Sequence, residues 1–296
     1  MNLIRTLLFV PAQREAMVEK SHAHGADVIV LDLEEAVPEA AKAAAREIAR
    51  RHLPVLGGEG RSVCARVNDV RSGMTRDDLL AVVSPALRAV VLPKAEQAQD
   101  VRDVDVLLRE AELANGVRPG DTGLITMIES PRALLRCEEI AQAADRHVAL
   151  ALGGYDYCAA LGVPRTRDGA AIAHLRYAVA QVAASRGVVA VDTPYDDLED
   201  EEGLVAETEF VKAIGYGGKF VIHPRQVAPV NRVFTPAERE VAEARRIIEA
   251  FERAASDGLA AVRLDGRMID GPIVDRARRV LALAPAGRPE LPESPT

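Results

Sequence analysis

Seven side chains able to take part in chemistry recur along the chain at similar intervals: Asp32, Arg66, Lys94, Glu129, Asp156, Asp192 and His223. Each ends or closely follows a short apolar run. Glu129 and Asp156 form the sharpest pair, because two carboxylates with room for several waters suit Mg²⁺, and no His or Cys cluster nearby favours zinc. The same two groups would otherwise be a salt-bridge partner and a turn cap. Arg66, in Ala65-Arg66-Val67-Asn68, can clamp a ligand carboxylate through a bidentate fork, or can be occupied by an ion pair with Asp32 or Glu34. Asp32, Glu34 and Glu35 crowd three like charges together, so they either face Arg66 and Lys94 or help order metal-bound water. Lys94, in Leu92-Pro93-Lys94, reads as a Schiff-base lysine or, more simply, as an ion-pair or phosphate contact. Gly153 and Gly154, ahead of Asp156, let the backbone approach a ligand or make a tight turn. His223, before Pro224, reads as a hydrogen-bonded residue closing the last loop.

What must position these groups is legible in the runs before them. They are Leu7 to Val10, Val28 to Leu31, Val63 to Val67, Ala89 to Leu92, Leu124 to Ile128, Val148 to Leu152, Val188 to Val191 and Phe220 to Ile222. Nearly all are too short for helices and rich in Val, Ile and Leu, as strands buried on both faces are. The polar ends lie 27 to 36 positions apart, room for one loop, one crossover helix and the next strand. That spacing predicts an α/β fold, a (β/α)8 TIM barrel with a C-terminal helical extension, whose strand ends open onto the face where such barrels keep their active sites.

The barrel is expected over residues 1–235 and the extension over 236–284, with 285–296, crowded with proline and polar groups, as a flexible tail. Ser130-Pro131 predicts an N-cap and first-turn proline for a helix running on to Ala144. Thr235-Pro236-Ala237-Glu238 reads as a capping box opening a long amphipathic helix. Gly258 to Pro272 reads as turn-rich, and Ile273 to about Leu283 as a last helix. An extension of this length is expected to pack on a neighbouring subunit or over the barrel mouth; the first is favoured and makes the protein a homo-oligomer.

A formal net charge of −8 spread along 296 residues disfavours nucleic acid as a partner. Cys64, Cys137 and Cys158 are an odd number without CxxC spacing, as expected of reduced thiols in a cytoplasmic protein. Met1 to Val10 is read as a first strand, not a signal peptide, and no apolar stretch approaches the length that spans a bilayer.

At these residues the chain resembles the citrate lyase β-subunit-like branch of the HpcH/HpaI aldolase/citrate lyase family. The likeness runs through Arg5 to Pro11, Leu31-Asp32-Leu33-Glu34-Glu35, Arg66-Val67-Asn68, Leu92-Pro93-Lys94, Ile128-Glu129, Asp192 to Tyr195, Gly218 to Pro224, Val233 to Pro236 and Met268 to Pro272. The resemblance implies a Mg²⁺-dependent carbon–carbon lyase acting on 3-hydroxyacyl thioesters of the malyl-, citramalyl- or citryl-CoA type, giving a 2-oxo acid and an acyl thioester. Carried over by position, Glu129 and Asp156 hold the metal and Arg66 holds substrate oxygens. Asp32, Glu34, Lys94 and Gly154 border the substrate. Asp270 serves as acid or base, reaching the neighbouring subunit's site in a trimer or hexamer. Departures are Ala12-Gln13 after the first strand, Glu35 where aspartate is frequent, Ser130-Pro131 after the metal glutamate, and Tyr155 where a small acidic residue is common.

Three other readings stay open. The same machinery could hydrolyse a malyl thioester or cleave a 2-oxo acid aldol, and the chain could be a subunit that needs a larger complex.

Overall fold

Val- and Leu-rich runs buried on both faces have one stable arrangement here, and all eight take it. In the computed structural model, which describes residues 4–58, 62–256 and 258–284, the strands are β1 (Thr6–Pro11), β2 (Val28–Asp32), β3 (Ser62–Arg66), β4 (Ala89–Leu92), β5 (Gly123–Ile128), β6 (His147–Leu152), β7 (Val189–Asp192) and β8 (Gly218–Val221). They pair in chain order, all parallel, and β8 pairs back onto β1 with Leu7 opposite Phe220, closing the barrel. The helices between them, such as Lys42–Leu56, Ala98–Ala114 and Ala173–Ser185, form the outer ring. This is the (β/α)8 architecture the spacing predicts.

Alternation along each strand divides two cores. Leu7, Val30, Cys64, Val91, Met127 and Phe220 belong to one that fills the barrel. Leu8, Leu31, Ala65, Val90 and Leu150 belong to the other, packed with the helices. The inward rows then run on to Phe9, Asp32, Arg66 and Met127, and past the strand ends to Glu129, Gly153 and Thr193. Period two thus decides which polar groups face the mouth. Asp192 and Lys219, adjacent across β7 and β8, stand on the outward rows.

The chain packs as two units that divide between Phe234 and Thr235. The second holds the helix Glu238–Ser256, a hairpin of β9 (Val262–Leu264) and β10 (Arg267–Ile269), and the helix Gly271–Leu283. The hairpin replaces part of the expected irregular stretch. Asp265 and Gly266 link its strands with φ of 49° and 81°, the paired left-handed geometry an Asp-Gly turn favours. The capping glutamate is Glu240, whose Oε2 accepts from the Ala237 N–H at 2.8 Å, so the helix begins later than the Thr235 reading has it. The helix expected from Ser130 to Ala144 starts as predicted, Ser130 Oγ accepting from the Ala133 N–H, but breaks at Arg136 into Pro131–Leu135 and Cys137–Ala141. The expected tail, 285–296, lies outside the described residues. Among the described residues no helix is long and apolar enough to cross a membrane, and all three cysteines are buried and unpaired.

Candidate functional site

The inward rows end around a cavity of about 460 Å³, walled among others by Phe9, Asp32, Glu35, Arg66, Met127, Gly153 and Asp156. It sits at the C-terminal ends of the strands, where side chains from separate loops converge. Behind its wall Glu129 is almost wholly buried, 3 % exposed, and one of its oxygens accepts from the Lys94 N–H. Burial, then the charge of Asp156, pushes the Glu129 carboxyl up to about 8. Asp156 lies in the first turn of the helix Gly154–Leu161. Its carboxyl is likewise raised, by burial and then by Glu35.

Two glycines let these carboxylates approach. Any Cβ at Gly153 would overlap the Glu129 side chain, so the backbone of the β6 loop lies directly against it. Gly154 donates its N–H to Thr193 Oγ1 at 3.1 Å, fastening that loop to the one after β7.

Arg66 meets Asp32 in a fork, Nε to Oδ1 at 2.8 Å and Nη2 to Oδ2 at 2.7 Å, while Nη1 stands 3.2 Å from Glu34 Oε2. Its guanidinium carbon lies 4.6 Å from the centre of the Phe9 ring, which in turn stacks on Phe220. Burial opposes the arginine's charge, but Asp32 outweighs it and the cation persists at every practical pH. Lys94 Nζ donates to Glu34 at 2.6 Å and Glu35 at 3.0 Å. Burial would lower the ammonium's pKa, yet these two hydrogen bonds raise it, the reverse of what a Schiff-base lysine needs. Its backbone has φ of 52°, left-handed and rare for a side-chain-bearing residue. Of the two readings of the acidic cluster, the geometry matches the one in which it faces Arg66 and Lys94.

The donor set at Glu129 and Asp156 fits a hard divalent cation. It is all oxygen, and among the described residues neither carboxylate is closed by an ion pair, whereas Asp32, Glu34 and Glu35 each meet Arg66 or Lys94. Two uncompensated carboxylates raised by burial are relieved by a dication. The mouth is not a finished cage, so water or substrate oxygens must complete the shell. Among the described residues the three-ligand grouping is elsewhere, Glu15, Glu19 and His52 on the outer helices.

The remaining expected residues are placed differently. Asp192 leaves the mouth altogether: with Lys219, Glu207, Arg176 and Arg165 it forms a buried network between strands and helices. Lys219 Nζ donates to Asp192 Oδ2, the Thr193 carbonyl and Glu207 Oε1 at 2.5, 2.7 and 2.8 Å. His223 Nδ1 accepts from the Arg225 N–H, capping a short turn. Asp270 belongs to the second unit, exposed at the start of the helix Gly271–Leu283, its side chain making no capping hydrogen bond. Sequence reasoning missed Thr193 and Phe9, which the inward period of β7 and β1 would have flagged. It also missed Lys42, whose buried ammonium donates to the Leu33 and Glu34 carbonyls and to Asn68 Oδ1; a lone lysine in a helix gives no such signal.

Known proteins share this framework. Over residues 5–224 the chain matches the family described as HpcH/HpaI aldolase/citrate lyase. It is 40 % identical to citrate lyase subunit beta of Escherichia coli strain K12, covering 95 % of this chain and 93 % of that one. To an L-malyl-CoA/beta-methylmalyl-CoA lyase of Cereibacter sphaeroides it is 33 % identical, covering 95 % and 94 %. Among solved structures, CitE from Mycobacterium tuberculosis in complex with magnesium, acetoacetate and coenzyme A superposes with a TM-score of 0.75 at 29 % identity, covering 95 % of this chain and 98 % of that one. A barrel whose inward rows end in a buried, glycine-backed glutamate and a forked arginine, with an aspartate in the first turn of the helix after β6, matched in sequence almost end to end, places this chain in the HpcH/HpaI aldolase/citrate lyase family, a family of lyases.

Proposed function

We propose that the protein is a Mg²⁺-dependent carbon–carbon lyase that cleaves a 3-hydroxyacyl-CoA of the malyl, citramalyl or citryl type to a 2-oxo acid and an acyl-CoA. The observation carrying this reading is the pair Glu129 and Asp156: two carboxylates raised by burial, without a partner cation among the described residues, beside a cavity at the barrel's active face.

Glu129 and Asp156 would hold the ion, which when bound draws the substrate's carboxylate and hydroxyl together and makes the hydroxyl easier to deprotonate. Gly153, lacking a Cβ, leaves the space that the Glu129 side chain occupies. As the bond between the hydroxyl-bearing carbon and the carbon beside the thioester breaks, its electron pair passes to the thioester as an enolate. Arg66, fixed by Asp32 and Phe9, presents its charge toward that developing anion. Asp32 and Glu34 orient the arginine, Lys94 holds Glu34 and Glu35, and Gly154 keeps the β6 loop open to substrate. Asp270 from a second copy of the chain, its carboxyl exposed at the head of a helix, would take the hydroxyl proton as the bond breaks and return it to the enolate carbon, completing the acyl-CoA. On this reading the extension serves a homo-oligomer, a trimer or hexamer, and the ligand is a small CoA thioester or 2-oxo acid.

Incubating the protein and Mg²⁺ with malyl-CoA, citramalyl-CoA and citryl-CoA tests it. An acyl-CoA and a 2-oxo acid in equal amounts are expected from at least one. Free CoA alone would point to a thioesterase, and no turnover of any ester would remove the thioester lyase reading.

A further inference from the structure

Which of these acyl groups the site accepts is written in its charge. The cavity is lined by four carboxylates, Asp32, Glu35, Asp156 and Asp196, and by one cation, Arg66. Three cations around it already face an acid: Arg66 is forked onto Asp32, Lys94 bridges Glu34 and Glu35, and Arg165 puts Nη2 within 2.8 Å of both oxygens of Glu207. A substrate's first carboxylate has the dication of the reading above. Among the described residues lining the cavity, a second would have no uncommitted cation to meet.

One wall makes this sharper. Tyr155, 37 % exposed, lies beneath the Arg165 guanidinium, 4.8 Å from its carbon to the ring centre. Asp196 lines the same cavity. Arg165 is itself held by the Pro194 carbonyl at 2.5 Å and by Glu207, so the guanidinium braces the ring. Tyr155 therefore fills this side with an aromatic face, Asp196 adds a negative charge to the lining, and Met127, Pro194 and Ile222 add apolar surface. Such a wall welcomes hydrogen or methyl and repels an anionic arm.

We propose that Tyr155, braced by Arg165, is a specificity-determining side chain that admits acyl groups with one free carboxylate, as in malyl and citramalyl thioesters, and rejects those with two, as in citryl thioesters. The assignment rests on the lyase reading for the place of the first carboxylate, but its test does not require turnover. The intact protein, saturated with Mg²⁺, is titrated calorimetrically with pyruvate and with fresh oxaloacetate, which differ by that second carboxylate. Pyruvate is expected to bind at least tenfold more tightly, and Tyr155→Lys, which supplies a cation on an exposed position, to shift the ratio at least tenfold toward oxaloacetate. Equal or tighter oxaloacetate binding by the unmodified protein overturns the inference, as does an unchanged ratio in the variant or a failure of both acids to bind. Pyruvate preference without cleavage of any thioester would sink the lyase reading and leave the specificity wall standing; cleavage of malyl-CoA with oxaloacetate preferred would do the opposite.

Discussion

Glu129 carries two consequences that can be separated by pH. Its carboxyl is raised from 4.5 to about 8, so in metal-free protein the charged form is disfavoured by folding. An acid shifted this way adds stability that is complete below about 4.5 and is lost as pH rises to about 8. Glu129→Gln cannot titrate, and thermal melts without metal are expected to show the variant gaining on the parent between pH 5 and pH 9; a constant gap would contradict the burial argument. With Mg²⁺ the same variant is expected to lose about a thousandfold or more in kcat, since a metal ligand is gone. Gly153→Ala approaches the same carboxylate from the other side. Its methyl would occupy the space of the Glu129 side chain, and a misplacement of about 1 Å costs roughly a hundredfold. Steady-state kinetics should show that loss in kcat; an active Gly153→Ala enzyme would mean the glutamate is free to move without harm.

Among the elements, the buried network behind β7 and β8 fixes the loops that border the cavity. Arg165, Arg176 and Lys219 share Glu207, whose carboxyl is held at about 2 although burial opposes its charge. A carboxylate lowered from 4.5 adds stability present above that value and lost as pH falls to about 2. Glu207→Gln leaves three cations against Asp192, which is expected to cost about 3–5 kcal/mol. Urea titrations at pH 6 should show that difference and titrations at pH 3 a smaller one. The network also marks the limit of what the sequence disclosed. Every strand was readable, because burial on both faces forces apolar runs, and Glu129, Arg66 and Asp32 were readable because they continue the inward rows. Asp192 sits at a strand end too, yet one step out of phase it faces the helices. Spacing counts strands but does not say which row a terminal residue occupies. Lys42 escaped for another reason: its ammonium is held by the Leu33 and Glu34 carbonyls and Asn68 Oδ1, which only the folded loops bring to it. The Asp265-Gly266 hairpin was in principle visible, and was hidden by the short, half-exposed strands it joins.

At the scale of the whole molecule, the oligomer proposal has its own test. If Asp270 works in the site of a second copy, Asp270→Asn and Glu129→Gln are each expected to be inactive alone and to recover activity when co-refolded, up to about a quarter of the parent's by random mixing. Light scattering should show a species larger than the monomer. Activity that stays absent in the mixture would place the proton donor within one chain. Closure of the barrel has a different kind of consequence. β1 leaves the ribosome ahead of the seven other barrel strands, but its second partner is β8, with Thr6 beside Lys219 and Leu8 beside Val221. At about 5–20 residues per second, translation leaves β1 without that neighbour for roughly ten to forty seconds. For that interval the nascent sheet has a bare apolar border, the kind that strays into pairing with other chains, so the cell's demand on this protein falls first on whatever shelters it during synthesis.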